Sequence, residues 1–244
     1  MTAGAAISDW SAVLLDIEGT TTPITFVHQV LFPYARARLG VFTSTHGGDP
    51  VVMEAVARLR HEHAVDVSAG SAPPAWPEAG VDGLVAYLEW LMDRDRKSPG
   101  LKTVQGLIWE DAYSRGDLHG LVFDDVPIAL RRWHAAGRKI AIYSSGSVLA
   151  QRRLFQTTAD GDLTTVIDAF FDTGIGAKVD RGSYERIAAA LQIAADRILF
   201  VSDVTAELRA ARQAGFQVCL AFRPGNAPQA DASQFVAVTG LAGV

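Results

Sequence analysis

Polar residues that could carry out phosphoryl transfer follow four separate apolar runs of the chain. They are two acids, a pair of serines, a lysine and a further acid, namely Asp16, Glu18, Ser144, Ser145, Lys178 and Asp203. The dianionic phosphate of a monoester must be neutralised before an anion can approach it, and a divalent cation and a lysine can both do this. The residue types therefore predict a phosphohydrolase.

The acids and serines have distinct predicted roles. Magnesium prefers hard oxygen ligands and usually takes one or two carboxylates together with water and substrate phosphate, so Asp16 and Asp203 are the predicted carboxylate ligands. Serine hydroxyls and the free N–H groups at a helix start bind anions, which makes Ser144, Ser145 and Gly146 a predicted phosphate seat. Asp16 would attack phosphorus to give an aspartyl phosphate, which water then hydrolyses.

Each of these residues also has a purely structural explanation. Asp and Ser are favoured N-caps, so Asp16, Ser144 and Ser145 could simply cap the helices that follow. Lys178 could be a solvated loop charge, and Asp203 could lie in a first helical turn where acids suit the helix dipole. The functional alternative is favoured because these groups follow successive predicted strands, whose carboxyl ends form the ligand site of an open parallel sheet.

Short apolar runs predict the strands that must position these residues. The runs are Val13 to Leu15, Lys139 to Tyr143, Ala169 to Phe171, Ile198 to Val201 and Gln217 to Phe222. Helical patterns separate the later runs, at Pro127 to Ala136, Val148 to Thr157, Ser183 to Gln192 and Thr205 to Ala214. This alternation predicts an α/β fold with a Rossmann-like, doubly wound parallel sheet.

The segment between the first two predicted strands interrupts this alternation. It places apolar residues at spacings of three and four, as in Leu84, Leu88 and Leu91, and offers no clear strand. The predicted helices are His28 to Leu39, Val51 to Val65, Val81 to Asp95 and Leu101 to Ser114. We therefore predict an all-helical cap domain at residues 22–125, inserted into a catalytic core made of residues 1–21 and 126–244.

Composition limits the remaining possibilities. The 244 residues are 49% hydrophobic, which is enough for a sizeable core, and the formal charge of −5 without a basic block argues against nucleic acid as a partner. The N-terminus lacks a signal-peptide pattern, and no apolar run reaches the roughly 20 residues that span a bilayer. A cytoplasmic protein with no membrane partner is expected. The lone cysteine, Cys219, lies in an apolar run and is predicted to be a buried thiol.

Several other residues have two explanations each. His61 and His63 are two apart, so on a helix they face different directions and lack the spacing of a zinc site; we expect them at the surface. His28, near the predicted hinge, could face the site or be a capping or solvated residue. Aromatic residues could form the wall of a substrate pocket or pack in a core, and the candidates are Phe26, Tyr87 and Trp109.

Longer motifs make the chain resemble a known family. DIEGTTTPITFVHQVLFPYAR at 16–36, QGLIWEDAYSRG at 105–116, IYSSGSVLAQRRLF at 142–155, GAKVDRGSY at 176–184, FVSDVTAELRAARQAG at 200–215 and RPGN at 223–226 carry the resemblance. They are similar to the haloacid-dehalogenase-like phosphatase superfamily and, within it, to the bifunctional enolase-phosphatases of methionine salvage. The resemblance covers nearly the whole chain and is weakest around 69–80.

The resemblance implies a substrate and a metal. The family enolises 2,3-diketo-5-methylthiopentyl 1-phosphate and then removes phosphate, which gives the acireductone 1,2-dihydroxy-3-keto-5-methylthiopentene. It implies one Mg²⁺ per subunit held by Asp16, Glu18 and Asp203, with Ser144, Ser145 and Lys178 on the substrate phosphate. Asp16, Glu18 and Lys178 are the catalytic residues so implied.

Glu18 departs from the commoner superfamily pattern, in which the second acid is Asp and acts as general acid and base. The added methylene moves the carboxyl by about 1.5 Å, a carbon–carbon bond length, and suggests that Glu18 reaches the carbon that loses a proton during enolisation.

Two rival functions are carried forward. One is a capped phosphatase or dehalogenase of the same superfamily with another small substrate, and magnesium dependence separates the phosphatase from the dehalogenase. The other is a non-catalytic module that binds a phosphometabolite, against which the intact Asp16 argues. The absence of an obvious heptad seam favours a monomer.

Overall fold

The computed structural model describes residues 9–76 and 82–244, and its backbone contacts divide the chain into two compact units. One unit contains the chain up to Val27 together with His119–Val244, and the other contains His28–Leu118. The predicted insertion, residues 22–125, contains the second unit entirely. Its two ends belong to the first unit, where Phe123 N donates to Thr21 O at 3.0 Å. The predicted domain limits themselves stay a prediction.

A parallel sheet forms the centre of the first unit. Its strands are β1 (Ala12–Leu15), β2 (Lys139–Tyr143), β3 (Ala169–Phe171), β4 (Ile198–Ser202), β5 (Gln217–Ala221) and β6 (Ala237–Val238). The order across the sheet is β3-β2-β1-β4-β5-β6, and every neighbouring pair is parallel. The predicted α/β, Rossmann-like sheet is confirmed. The direction of winding reverses between β1 and β4, which is where such sheets bind ligands.

Burial on both faces explains why these short runs are strands. Every residue of β1 is fully buried, as expected for a central parallel strand covered by helices on both sides. Below the sheet's carboxyl edge, aromatic rings of Tyr143, Tyr184, Phe200 and Phe216 belong to one apolar core. Cys219 on β5 is buried, as predicted.

Except for a single turn after β1, which was not predicted, the helices of the first unit lie at the predicted places. They are the single turn α1 (Ile24–Phe26), α6 (Asp125–Ala135), α7 (Val148–Gln156), α8 (Arg181–Leu191) and α9 (Thr205–Gln213). Short 3₁₀ turns lie at Leu163–Val166, Ala195–Arg197, Ala232–Gln234 and Leu241–Gly243. Ser147 and Asp180 are the N-caps of α7 and α8. Their side-chain hydrogen bonds fix the point at which each preceding loop ends and the helix begins.

In the part of the second unit that the structure describes, all elements are helical. A π-helical turn at Val27–Leu31, which begins at the last residue of the first unit, is followed by α2 (Phe32–His46), α3 (Pro50–Ser68), α4 (Asp82–Asp93) and α5 (Pro99–Arg115). Their apolar stripes form a separate core that includes Leu39, Leu59, Leu88 and Val104. The predicted start of α4, Val81, lies outside the described residues. Among the helices described, none has the length and apolar character needed to cross a membrane.

A buried arginine ties the loop after β1 to the C-terminal part of the first unit. Arg223, 6% exposed, donates from Nε to Thr20 O at 3.1 Å and from Nη1 to Thr239 O at 3.1 Å. Its Nη1 and Nη2 atoms contact Asp125 Oδ1 and Oδ2 at 2.8 and 3.0 Å. This bidentate pair fixes the segment that follows Asp16.

Asp125→Ala should destabilise the first unit, because it leaves the buried Arg223 guanidinium without its carboxylate counter-charge. We expect the free energy of unfolding to fall by about 3 kcal/mol, the usual cost of breaking a buried ion pair. The exposed neighbour Asp124 provides the matched control, since Asp124→Ala should change stability by less than about 0.5 kcal/mol. Urea denaturation of both variants measures this, and equal losses would contradict the role of Arg223.

Candidate active site

Asp16 leaves the end of β1 as a buried carboxylate at the point where the sheet's winding reverses. It is 3% exposed. Its Oδ1 accepts from Ile17 N at 2.7 Å and pairs with Lys178 Nζ at 2.6 Å, while Oδ2 lies 3.3 Å from Ser202 Oγ. These contacts use groups from the ends of β1 and β4 and from the loop after β3. The structural alternative, in which Asp16 caps a helix, does not fit these partners.

Lys178 lies between two carboxylates. Its Nζ is 2.6 Å from Asp16 Oδ1 and 2.8 Å from Glu207 Oε2, and only about an eighth of its side chain is exposed. Burial by itself lowers the pKa of Lys178, but the charges and hydrogen bonds of the two acids outweigh it and hold the pKa above its usual range. The lysine is therefore a fixed positive charge beside the nucleophile candidate.

Glu207 is a site residue that sequence analysis missed. It lies in the first turn of α9, where an acid suits the helix dipole whatever else it does. Its Oε2 contacts Lys178 and accepts from Ser202 Oγ at 2.9 Å. Burial, and then the charge of Asp16, raise the pKa of Glu207 to about 7. The available signal was its place in the first turn of the helix after β4, at the edge of the sheet where the other candidate residues lie.

Asp203 follows β4 and is nearly buried beside the loop after β1. Burial, and next the charge of Asp16, raise its pKa to about 7. A side chain at Gly19, whose φ is +69°, would overlap the Asp203 carboxylate, so only glycine lets the two loops approach this closely.

The site offers hard oxygens and excess negative charge, and this fits magnesium. A Cβ at Gly19 would lie 2.8 Å from Asn226 Oδ1, a buried oxygen with no hydrogen-bond partner among residues 9–76 and 82–244. Among the described residues, Lys178 is the one cation paired with Asp16 and Glu207, and Asp203 adds a third carboxylate nearby. Orphaned oxygen and clustered carboxylates are the donors that magnesium prefers.

The structure does not place Glu18 in a group of side chains arranged to bind a metal ion. Within the described residues, no group of three or more His, Cys, Asp or Glu side chains is arranged to hold a metal ion. Glu18 is partly buried. Its charge makes a small contribution to the raised pKa of Asp203, so Glu18 lies near that acid. Since magnesium often takes only one or two carboxylates, Glu18 stays a predicted ligand.

The predicted phosphate seat follows β2. Ser144 is buried, and its Oγ accepts from Gly146 N at 3.1 Å; Ser145 is exposed. The helix cap is Ser147, which accepts from Ala150 N at 3.3 Å, so neither predicted serine caps α7. Gln151 fixes the loop after β2 to the end of β3, because its side-chain amide donates to Gly146 O at 2.8 Å and to Phe171 O at 2.9 Å.

The remaining candidates belong to other parts of each unit. Tyr87 is fully buried and donates to Asp66 Oδ2 at 2.7 Å, so it is a core residue of the second unit. Trp109 donates to Leu31 O at 2.9 Å, and His28 is exposed. The expectation that His63 is a surface residue is wrong, because it is half-buried between the rings of Trp76 and Tyr87. Phe26 is buried in the first unit, and His61 is exposed as expected.

Comparison with known proteins gives the family. Residues 10–215 match the haloacid dehalogenase-like hydrolases. The chain is 51% identical over 219 residues to enolase-phosphatase E1 of Synechococcus elongatus, covering 89% of this chain and 90% of that protein. It is 48% identical over 220 residues to enolase-phosphatase E1 of Acidiphilium cryptum, with 90% and 88% covered. The crystal structure of UTR4 protein from Saccharomyces cerevisiae superposes with a TM-score of 0.76 at 32% identity, over 95% of this chain and 98% of that one.

Fold and site together define an α/β phosphohydrolase with an aspartate at the end of its first strand. About half of the residues are identical to those of the Synechococcus elongatus protein over nine-tenths of the chain, and this identity narrows the assignment within the class. The chain belongs to the haloacid dehalogenase-like hydrolases and, among them, to the enolase-phosphatase E1 family.

Asp203→Asn should make the metal-free protein more stable above pH 7. The folded state raises the pKa of Asp203 from 3.8 to about 7, so it binds more protons than the unfolded state between those values and stability falls as pH rises through that window. The variant removes this fall, and we expect a gain on the order of 2 kcal/mol at pH 8, with little change at pH 3.5.

Urea denaturation in EDTA at pH 3.5, 5, 6.5 and 8 measures the effect. Asp160→Asn, at an exposed position of the same unit, is the control and should follow the unsubstituted protein at every pH. An Asp203→Asn curve parallel to that of the unsubstituted protein would show that Asp203 is not strained by burial.

Proposed function

We propose that the chain is a magnesium-dependent enolase-phosphatase that acts on 2,3-diketo-5-methylthiopentyl 1-phosphate. The product would be the acireductone 1,2-dihydroxy-3-keto-5-methylthiopentene. The observation that carries the proposal is the buried Asp16 carboxylate, held by Lys178 at 2.6 Å at the reversal point of the sheet. Membership of the enolase-phosphatase E1 family supports the choice of substrate.

Asp16 is the proposed nucleophile. One of its carboxylate oxygens forms a bond to phosphorus while the bond from phosphorus to the substrate oxygen breaks, and the electron pair leaves with that oxygen. Water then attacks the aspartyl phosphate, which releases inorganic phosphate and regenerates Asp16. The contacts of Asp16 with Ile17 N, Lys178 and Ser202 keep its carboxylate from rotating away before attack.

Ser144, Ser145 and Lys178 are the proposed phosphate ligands. Lys178 contributes the positive charge, and its two acidic neighbours keep it protonated at any pH at which the enzyme works. Ser144 lies in a loop that Gln151 fixes, so its hydroxyl can meet phosphate without a large ordering cost. Ser145 is exposed, so its hydroxyl is accessible to an incoming phosphate.

Asp16, Asp203 and Glu18 are the proposed residues that hold magnesium. When bound, the ion would polarise the phosphoryl group and neutralise charge that develops on its oxygens. The raised pKa of Asp203 indicates that its carboxylate is poorly stabilised without a cation. Asn226 Oδ1, which has no hydrogen-bond partner among the described residues, is an additional oxygen that suits an ion there.

Glu18 is also the proposed base for enolisation. It lies two residues after the proposed nucleophile and is only partly buried, so an incoming substrate can approach its carboxylate. The proton taken from the substrate carbon would leave an enolate, which is the species that loses phosphate.

We further infer a cytoplasmic monomer that binds a small phosphorylated substrate and neither nucleic acid nor membrane. The acidic balance of the chain supports this inference, with 27 Asp and Glu against 22 Lys and Arg.

Asp16→Asn should abolish phosphate release from the diketo phosphate. An amide cannot attack phosphorus, so we expect a loss on the order of a thousandfold or more in kcat, as for other removed nucleophiles. Phosphate release and enol absorbance should be followed with Mg²⁺, with EDTA and in the variant. EDTA should also stop phosphate release from the unsubstituted protein, and Asp160→Asn should leave it unchanged.

Three outcomes would replace the proposal. Metal-dependent hydrolysis of a generic phosphomonoester without turnover of the diketo phosphate would identify a phosphatase with another substrate. Turnover of a haloacid without metal would identify a dehalogenase. Binding of the diketo phosphate without any phosphate release would identify a non-catalytic binding module.

Glu18→Gln should separate the two half-reactions. The amide cannot accept the proton, so enolisation should slow by about a hundredfold or more, the usual contribution of a general base. Stopped-flow enol absorbance, compared with hydrolysis of a generic phosphomonoester that needs no enolisation, measures the two steps separately. Normal enolisation with impaired hydrolysis alone would reject Glu18 as the base.

A further inference from the structure

The segment that carries Lys178 is held by side chains through four consecutive carbonyl groups. Arg186 Nε donates to Ile175 O at 2.6 Å and Tyr143 OH donates to Gly176 O at 2.8 Å. The other two bonds run from Ser183 Oγ to Ala177 O at 2.8 Å and from Tyr184 OH to Lys178 O at 2.6 Å. We call these four donors, Tyr143, Ser183, Tyr184 and Arg186, the carbonyl clamp.

These four carbonyls lie outside the strands and helices, so the regular hydrogen bonds of those elements do not pair them. The segment connects β3 to α8 as a loop, and loops usually leave such groups to water. A side chain at Gly176, whose φ is +139°, would overlap Arg186 Nη2 and Ser183 Oγ, so glycine is required for the clamp to close. The clamp and the glycine are therefore parts of one arrangement.

The tyrosines anchor the clamp in the core. Tyr143 and Tyr184 are fully buried, and their rings meet edge to face with centroids 5.7 Å apart. Tyr184 also packs on Phe200 and Phe216. A tyrosine has few rotatable bonds, so a ring fixed by packing places its hydroxyl accurately. Burial raises the pKa of Tyr184, so its hydroxyl stays a donor.

We infer that Tyr184, with the rest of the carbonyl clamp, is a positioning residue that fixes the Lys178 backbone so that the ammonium reaches Asp16 and Glu207 together. The lysine side chain is long and flexible, and it makes contacts of 2.6 and 2.8 Å with two acids on different elements. A displacement of the Lys178 carbonyl moves the start of that side chain. The clamp thus transmits the order of the aromatic core to the reacting groups, and as far as turnover is concerned this inference rests on the proposed function.

Tyr184→Phe tests the inference because it removes the hydroxyl and keeps the ring. Hydrogen exchange of the backbone amides in the segment 174–180 should become about threefold to tenfold faster, the effect of losing one hydrogen bond. With the diketo phosphate and Mg²⁺, kcat should fall about threefold to tenfold while KM changes less than twofold. Ile187→Val is the matched control, since it loosens the buried face of the same helix without touching the clamp.

The outcomes separate this inference from the proposed function. Faster exchange and lower kcat in Tyr184→Phe but not in Ile187→Val support it, and equal effects in both variants or unchanged exchange in Tyr184→Phe overturn it. Arg186→Lys keeps the charge at a half-exposed position but loses Nε; it should show the same changes and carries the test if Tyr184→Phe does not fold. If the unsubstituted protein releases no phosphate, the proposed function fails, and the exchange comparison alone decides the inference.

Discussion

The lysine ammonium between two buried carboxylates is the interaction on which the site depends. Asp16 and Glu207 lie too deep to be stabilised by water, and Lys178 contacts both. Ser202 joins the same group, since its hydroxyl contacts Asp16 and Glu207 at 3.3 and 2.9 Å. Removing Lys178 would leave both buried carboxylates without the cation that they share, which is far more costly than losing a surface ion pair. The ends of β1 and β4, the start of α9 and the loop before α8 are therefore constrained together.

The same constraint explains the unusual electrostatics next to this group. One lysine cannot balance Asp16, Glu207 and Asp203, so burial and mutual repulsion raise the pKa of Glu207 and of Asp203 to about 7. A second positive charge would stabilise the ionised forms of these buried carboxylates, and clustered groups with shifted pKa values are typical of functional sites. Under the proposed function, a magnesium ion held by Asp16, Asp203 and Glu18 would supply that charge, in addition to the charge of Lys178.

Rigid elements around the site keep these charges in place. Arg223 holds the loop after β1 by Thr20 O, Gln151 holds the loop after β2, and Tyr184 with its partners holds the loop after β3. Each support contacts a backbone carbonyl and leaves the reacting side chains free. This arrangement suits a hydrolase, because loops can present charged groups accurately only when their backbones are fixed by a packed core.

The sequence alone determined the fold class and located most of the candidate site residues. Buried parallel strands are continuous apolar runs, so their ends, and with them Asp16, Ser144, Lys178 and Asp203, could be located without coordinates. Glu207 was missed, because an acid in a first helical turn has an ordinary local explanation. Only the tertiary structure decided its partnership with Lys178 and the closure of the carbonyl clamp. Both depend on contacts between elements far apart in the chain, which local patterns do not encode.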